Sequence, residues 1–148
     1  MSLDPDDSWT ALREAAESAL EAAYAPYSRF RVGAALETAD GGTYSGCNIE
    51  NASFPVTTCA ERVALGSAVA DGATRFTRLY LVSDAKGPVA PCGMCRQALA
   101  EFAPDLRIAS RGVSGAETVW RLSELLPATF ELETPRGTEP ATTGGDGA

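Results

Sequence analysis

The sequence predicts an α/β fold in three layers, α/β/α, with helices on both faces of a central mixed sheet of about five strands. Two observations support this prediction. Apolar residues recur at helical spacing in the N-terminal segment, and short apolar strand-like runs then alternate with further helical segments. The length suits one domain over residues 1–133, and residues 134–148, which lack an apolar anchor, are predicted to form a disordered tail.

The first half of the chain is predicted to fold as helix, hairpin and helix, over residues 7–23, 29–37, 43–49 and 59–70. The first segment repeats apolar residues every three or four positions, and Asp6 or Asp7 can cap its start. The two strand segments alternate apolar and other residues around Asp40-Gly41-Gly42, which is typical of a tight turn. Thr58 is predicted to cap the second helix, which Asp71-Gly72 ends.

The second half alternates strands with helices, over residues 78–83, 92–102, 106–110, 117–121 and 122–126. The run Leu79-Tyr80-Leu81-Val82 is typical of a buried strand. Pro91 suits the start of the next helix, on which Leu99 and Phe102 are expected to face inward. Two short strands follow, and Pro127 ends a final helical turn.

Charge and composition exclude several classes of function. The net charge of −8 disfavours a nucleic-acid partner, which usually requires a basic surface. No apolar run approaches the ~20 residues that span a bilayer, and the acidic N-terminus lacks the features of a signal peptide. We therefore expect a cytoplasmic protein that binds neither nucleic acid nor membrane, and whose ligand is an uncharged small molecule.

Two short patches predict a zinc site, namely Cys59-Ala60-Glu61 and Pro91-Cys92-Gly93-Met94-Cys95. The chain has four cysteines and no histidine, so any zinc site must be rich in thiolates. Cys59, Cys92 and Cys95 can hold the ion on three sides and leave its fourth position open, as catalytic zinc sites do. Glu61 can then move protons at the open position. Both patches fall at predicted helix starts, where free N–H groups favour thiolates.

Three thiolates more than neutralise one Zn²⁺ ion, and the excess negative charge should be offset. Arg62 is predicted to do this by donating hydrogen bonds to the ligand sulfurs, although a solvated or salt-bridged Arg62 is the alternative. A Cys-x-x-Cys pair can also be a redox pair or half of a structural zinc site, for which Cys47 would be the fourth ligand. Cys47 is instead expected to be a small buried hydrophobe.

Five segments, in this order, resemble the cytidine deaminases of the small type with cysteine ligands. They are Tyr24-x-Pro26-Tyr27-Ser28-x-Phe30-x-Val32-Gly33-Ala34-Ala35, Gly46-Cys47-Asn48-Ile49-Glu50-Asn51-Ala52-Ser53-Phe54, Cys59-Ala60-Glu61-Arg62, Pro91-Cys92-Gly93-Met94-Cys95-Arg96-Gln97 and Leu125-Leu126-Pro127-x-x-Phe130. The resemblance runs from about Ala23 to Phe130 and implies the cytidine-deaminase fold, one Zn²⁺ per subunit and a homotetramer.

The resemblance also implies roles for individual residues. Asn48 and Glu50 would bind the ribose hydroxyls, with turn chemistry as the alternative. Phe30, Phe54 and Ala60 would line the substrate pocket, with Phe54 standing where the family often has Tyr. Phe130 would reach the site of a neighbouring subunit. Core packing is the alternative for Phe30 and Phe130.

The implied reaction is hydrolysis of cytidine and deoxycytidine to uridine and deoxyuridine with release of ammonia, a step of pyrimidine salvage. Glu61 would carry protons from water to N3 of cytosine and then to the leaving amine. The nearest alternative is a related cytosine nucleoside, as in the blasticidin S deaminases. A polynucleotide deaminase is disfavoured by the acidic charge, whereas a structural zinc or binding module would hold zinc without turnover.

Overall fold

The computed structural model describes residues 6–133. Its helices are α1 (Thr10–Leu20), α2 (Ala60–Ala70), α3 (Gly93–Ala100) and α4 (Leu122–Leu125), and its strands are β1 (Val32–Thr38), β2 (Thr43–Cys47), β3 (Phe76–Ser83), β4 (Arg107–Arg111) and β5 (Glu117–Arg121). Short 3-10 helices form at Asp7–Trp9 and Phe54–Val56. The predicted disordered tail, 134–148, lies outside the described residues.

The five strands form one mixed sheet in the order β2-β1-β3-β4-β5. β3 and β4 are parallel, and the chain crosses between them through α3. The remaining neighbours are antiparallel. The predicted sheet of five strands is therefore confirmed. No helix of residues 6–133 is both long and apolar enough to pass through a bilayer.

Alternation along β3 gives the sheet two apolar faces. Leu79 and Leu81 are buried in a cluster with residues of α2 and α3. Tyr80 points the other way, into a cluster with Trp9 and with Leu12 of α1. Because side chains of a strand alternate between faces, one apolar run packs against helices on both sides. The three-layer α/β/α fold is therefore confirmed.

Two glycines let helices lie directly on strands. A Cβ atom added to Gly33 of β1 would lie 2.1 Å from the Ala16 carbonyl oxygen of α1. One added to Gly46 of β2 would lie 2.5 Å from the Ala64 nitrogen and 2.6 Å from the Ala60 carbonyl oxygen of α2. A side chain at either position would push its helix away. Gly46 thereby fixes how closely the first turn of α2 approaches the sheet.

The ends of several elements differ from prediction for identifiable reasons. α1 ends at Leu20 rather than Ala23. The next N–H groups bond to the carbonyl three residues back instead of four, as Ala23 does to Leu20 at 3.1 Å. β1 begins at Val32 rather than Arg29, since Arg29 has a φ of 56°, outside strand geometry. The predicted cap Asp6 is confirmed and accepts from the Ser8 N–H.

The predicted cap of the second helix was wrong. The backbone of Thr58 pairs with Ile49, with N–H to oxygen bonds of 2.9 and 3.0 Å, so Thr58 is held in an extended bridge. The cap position falls on Cys59 instead, and α2 begins one residue later at Ala60. The third helix also begins one residue later than predicted, with Cys92 as its cap.

Candidate active site

Three cysteines converge where two helices begin. Cys59 occupies the cap position of α2, Cys92 that of α3, and Cys95 lies in the first turn of α3. Their sulfur atoms all lie within 4.8 Å of one another, and the Cys59 and Cys92 sulfurs are 3.8 Å apart. Tetrahedral zinc with Zn–S bonds of about 2.3 Å requires sulfurs about 3.8 Å apart. The three side chains therefore fit the predicted ion.

The fourth side of this cluster is open in the described part of the chain. No further His, Cys, Asp or Glu of residues 6–133 joins the three cysteines. Cys47 is half-buried at the end of β2 and stands outside the group. A closed site with four cysteines, which would require Cys47, is therefore not formed by the described residues.

The thiols perturb one another even without an ion. The Cys95 thiol donates to Cys59 and lowers the pKa of Cys59 well below its usual value, with Arg62 adding to the effect. The pKa of Cys95 is raised in turn, first by its bond to Cys59 and then by burial. Cys59 therefore becomes a thiolate more readily than Cys95.

Glu61 lies in the first turn of α2 and is only 5% exposed. Burial raises the pKa of its carboxyl, and the nearby Cys59 raises it further. Glu61 and Cys59 both line the same cleft. The Glu61 carboxyl thus belongs to the same cleft as Cys59 and Cys92.

Arg62 lies behind the ligands. Burial alone would lower the pKa of Arg62, but hydrogen bonding to Cys59 and Cys95 raises it above its usual value. One Nη donates to the Thr57 carbonyl oxygen at 3.2 Å, while the buried Nε has no acceptor among the described residues. An orphaned donor beside sulfurs suits thiolate ligands. The compensating role of Arg62 nevertheless stays a prediction.

A cleft of about 490 Å³ opens beside the cysteines. Of the predicted site residues, it is lined by Phe30, Asn48, Glu50, Cys59, Ala60, Glu61 and Cys92. The only charged side chains of its described lining belong to Glu50 and Glu61, whereas Lys and Arg are absent from that lining. The cleft is therefore suited to a ligand without negative charge.

Asn48 and Glu50 already bind the protein's own backbone. The Asn48 amide accepts from the Val32 N–H at 2.9 Å and donates to the Phe30 carbonyl at 2.8 Å. One oxygen of Glu50 accepts from the N–H groups of Tyr27 and Ser28 at 2.9 and 3.0 Å. Hydrogen bonds from Ser28, first from its side chain and then from its N–H, lower the pKa of Glu50, and the Tyr27 N–H adds to the effect. The carboxylate keeps acceptor capacity beyond these bonds.

Two predicted aromatic residues lie outside this cleft. Phe54 is 71% exposed and packs edge-on against Tyr27, with ring centroids 6.0 Å apart. Phe130 is 70% exposed, and its backbone is held by the Gln97 amide at 3.1 and 3.3 Å. Neither ring lines the cleft of its own chain. Their predicted roles therefore depend on a second copy and stay predictions.

Several residues of the site were not predicted from the sequence. Ser28, Thr57, Val89 and Ala90 line the cleft. Val89 and Ala90 directly precede Pro91-Cys92, so their position next to the predicted zinc ligand Cys92 could have indicated them from the sequence. Arg96 binds the Pro91 carbonyl at 2.8 Å and the Leu125 carbonyl at 2.9 Å, which ties the cysteine loop to the end of α4. The acceptors of Arg96 are backbone carbonyl oxygens, which every residue has, so the sequence could not indicate these contacts.

The family model described as "Cytidine and deoxycytidylate deaminase zinc-binding region" matches residues 7–109, a segment that contains the cysteine cluster and Glu61. The chain belongs to this deaminase family. A cytidine deaminase of Sporosarcina psychrophila is 46% identical over 118 residues, covering 79% of this chain and 87% of the relative. The crystal structure of cytidine deaminase from Burkholderia pseudomallei is 48% identical with a TM-score of 0.79, covering 82% of this chain and 98% of that one.

A blasticidin-S deaminase of Bacillus cereus is a more distant relative of this deaminase chain, 32% identical over 111 residues, which cover 70% of this chain and 79% of the relative. Membership of the family confirms the predicted resemblance, and the family's zinc-binding region together with the sulfur geometry supports zinc as the cofactor. The cysteine cluster thus fits the zinc binding expected of this deaminase family.

Proposed function

We propose that the chain is a zinc-dependent deaminase that hydrolyses cytidine and deoxycytidine to uridine and deoxyuridine with release of ammonia. The observation that carries the proposal is the cleft in which a buried carboxyl, Glu61, adjoins three sulfurs spaced for a zinc ion with an open side. Among the relatives, those with the higher identities are cytidine deaminases.

The charges in the cleft favour a nucleoside over a nucleotide. Glu50 and Glu61 are the charged side chains of the described lining, apart from the cysteine ligands. A phosphate bound there would meet carboxylates and no guanidinium or ammonium group, although proteins normally bind phosphate with such groups. The overall charge of −8 acts in the same direction at long range.

Cys59, Cys92 and Cys95 would hold the ion, which when bound supplies Lewis-acid activation of a water molecule at its open position. Glu61 would accept a proton from a water molecule in the cleft and deliver it to N3 of the cytosine ring, so that C4 becomes more electrophilic. The water oxygen would bond to C4, Glu61 would carry the remaining proton to the 4-amino group, and the C4–N bond would break to release ammonia.

The wall of the cleft opposite Glu61 would receive the sugar. The second oxygen of Glu50 can accept a hydrogen bond from a ribose hydroxyl, and Asn48 retains one N–H and one lone pair beyond its two backbone bonds. Phe30, which is 39% exposed at the cleft, would pack against the nucleoside, and Ala60 would border the base. Arg62 would offset the excess negative charge of the ligands.

We further propose a cytoplasmic homotetramer that acts in pyrimidine salvage. In support, several large apolar side chains near the cleft are exposed, among them Tyr24, Tyr27, Phe54, Val56 and Phe130. Exposed apolar patches of this kind often mark contacts between proteins. Phe54 and Phe130 would then complete the cleft of a neighbouring copy. Light scattering after size-exclusion chromatography would measure the mass, and a monomer that is fully active would contradict this assembly.

One assay tests the proposed function. The ultraviolet change on deamination would be followed with cytidine, deoxycytidine, cytidine monophosphate, blasticidin S and single-stranded DNA, with zinc content measured in parallel. We expect turnover of both nucleosides and little of the nucleotide or the DNA. Preferred turnover of blasticidin S would favour the activity of the more distant relative. One zinc per chain without turnover of any substrate would favour a structural zinc module.

A further inference from the structure

One wall of the cleft is a short segment with little regular structure of its own. Phe30 and Val32 both line the cleft and flank Arg31. Arg29, just before them, has a left-handed backbone with φ of 56°, and regular pairing of β1 begins only at Val32. Apart from the local bond from the Phe30 N–H to the Ser28 hydroxyl oxygen at 3.0 Å, the position of Phe30 is therefore set by bonds from outside the segment.

Two side chains hold the segment, one from each side. On the β2 side, Asn48 binds the Phe30 carbonyl and the Val32 N–H, as described above. On the β3 side, the Asp84 carboxylate accepts from the Arg31 N–H at 3.0 Å and from the Arg31 guanidinium at 3.0 and 3.1 Å. The Asp84 N–H also donates to the Arg31 carbonyl at 3.1 Å. Together these bonds extend the β1–β3 pairing beyond its last pair, Val32 with Ser83.

Asp84 also begins a second wall of the cleft. The chain leaves β3 at Ser83 and runs directly through residues 84–92 to Cys92, and Val89 and Ala90 of this loop line the cleft. The fully buried Ser110 hydroxyl fixes the middle of the loop by accepting from the Val89 N–H at 3.0 Å. Asp84 is therefore the residue at which the two walls are joined.

We propose that the Arg31–Asp84 pair is a positioning unit that sets the width of the nucleoside cleft. Neither side chain lines the cleft, so the pair would act through Phe30 on one side and through the Val89–Ala90 loop on the other. Its loss would weaken substrate binding and leave the cysteine cluster and Glu61 in place. This inference rests on the proposed function for its kinetic test and on the geometry alone for its structural test.

The chain offers a matched control for this pair. Glu37 and Arg78 form a second two-pronged ion pair between β1 and β3, with bonds of 2.7 and 2.6 Å, away from the cleft. The Glu37→Ala variant should thus lower stability in the same manner as Asp84→Ala without moving the cleft walls. Both pairs are partly exposed, with side-chain exposures of 41% and 28% for Arg31 and Asp84 and of 20% and 19% for Arg78 and Glu37.

The kinetic test compares KM and kcat for cytidine at a temperature where every variant is folded and holds one zinc. Asp84→Ala should raise KM about tenfold, since a charge-assisted contact is lost, while kcat changes much less. Asp84→Asn keeps one acceptor oxygen and should give an intermediate KM. Glu37→Ala should keep the KM of the parent protein. An unchanged KM in Asp84→Ala, or an equal rise in Glu37→Ala, would overturn the proposal.

Hydrogen exchange followed by mass spectrometry provides the structural test, which needs no activity. In Asp84→Ala, amides of both walls, residues 28–34 and 85–92, should exchange faster, whereas Glu37→Ala should leave both walls unchanged. If the parent protein did not deaminate cytidine, the proposed function would fail while this exchange pattern still decided the role of the pair. Faster exchange in only one wall, or in neither, would count against Asp84 as the junction.

Discussion

Asn48 and Glu61 illustrate how single residues of the cleft combine folding with chemistry. Asn48 is 8% exposed, and both the oxygen and the nitrogen of its amide bind the Phe30–Val32 segment. Glu61 is equally buried, but the described residues include no salt-bridge partner for it. A buried carboxyl without a salt-bridge partner among the described residues is unfavourable for folding alone. Its presence next to three thiols is better explained by proton transfer.

The substitution Glu61→Gln tests this reading. The amide has nearly the shape of the carboxyl but cannot exchange protons with water or with N3 of cytosine. We expect turnover of cytidine to fall by about 10²–10⁴-fold or more, because general acid–base catalysis is lost. Zinc content and thermal stability should stay close to those of the parent protein. Turnover within a few-fold of the parent, at equal zinc content, would contradict the assigned role.

At the scale of elements, the contact between α2 and β2 decides where the proposed catalytic and metal-binding residues of α2 lie. Gly46 lies against the Ala60 carbonyl and the Ala64 nitrogen, and the same turn of helix carries Glu61. The helix cannot move closer to the sheet, and any side chain at Gly46 would push it away. The position of Cys59 and Glu61 relative to α3 therefore depends on a residue that is itself chemically inert.

Two glycine substitutions test whether the close contact between β2 and α2 positions Glu61. Gly46→Ala places a methyl group 2.5 Å from backbone nitrogen, so we expect a loss of about 1–3 kcal/mol in the free energy of unfolding. A displacement of Glu61 by about 1 Å can lower the rate by ~10²-fold. Gly66→Ala, which lies in α2 and has open space around it, should raise stability by about 0.5–1 kcal/mol at unchanged activity.

Denaturant unfolding and cytidine kinetics of the two variants provide the measurement. Equal behaviour of Gly46→Ala and Gly66→Ala would show that the close approach of α2 to β2 is not what positions Glu61.

The elements themselves were largely predictable, because each depends on a local pattern. Alternation and helical spacing predicted the five strands and the main helices, and thiol spacing predicted the three cysteines that the structure brings together. The start of α2 was mispredicted because Thr58 is engaged by Ile49, a contact between distant segments that no local signal reveals. For the same reason, the backbone bonds of Asn48 and Glu50 and the Arg31–Asp84 pair could be read only from the structure.

For the molecule as a whole, ion pairs make the free energy of unfolding depend on pH. Arg78 donates two bonds to Glu37 and holds the pKa of Glu37 below its usual value, despite the opposing effect of burial. A carboxyl whose pKa is lowered by folding stabilises the protein above its unfolded pKa, near 4.5. This contribution is lost as the pH falls through the lower pKa of the folded state, because the Glu37 carboxylate then becomes protonated and the ion pair is broken.

The Glu37→Gln variant should remove this dependence. Near neutral pH we expect it to be less stable than the parent protein by about 1 kcal/mol, since the charged pair is partly exposed. The difference between the two proteins should shrink toward zero as the pH falls below 4.5. Urea unfolding of both proteins at several pH values, at equal zinc content, measures it. A difference that is constant or grows in acid would refute this account of the pair.

Helices usually begin at a residue whose side-chain oxygen accepts from the first free N–H groups. Both α2 and α3 begin instead at a cysteine that makes no such bond. If the cysteines bind zinc as proposed, the ion would join the two first turns, and metal occupancy would be visible to a protease. Chelation should speed cleavage near Thr58 and Ala90, and added zinc should restore resistance; equal cleavage in both states would contradict this. The resistance of each copy to proteolysis would then follow its metal supply, so that copies without metal would be degraded first.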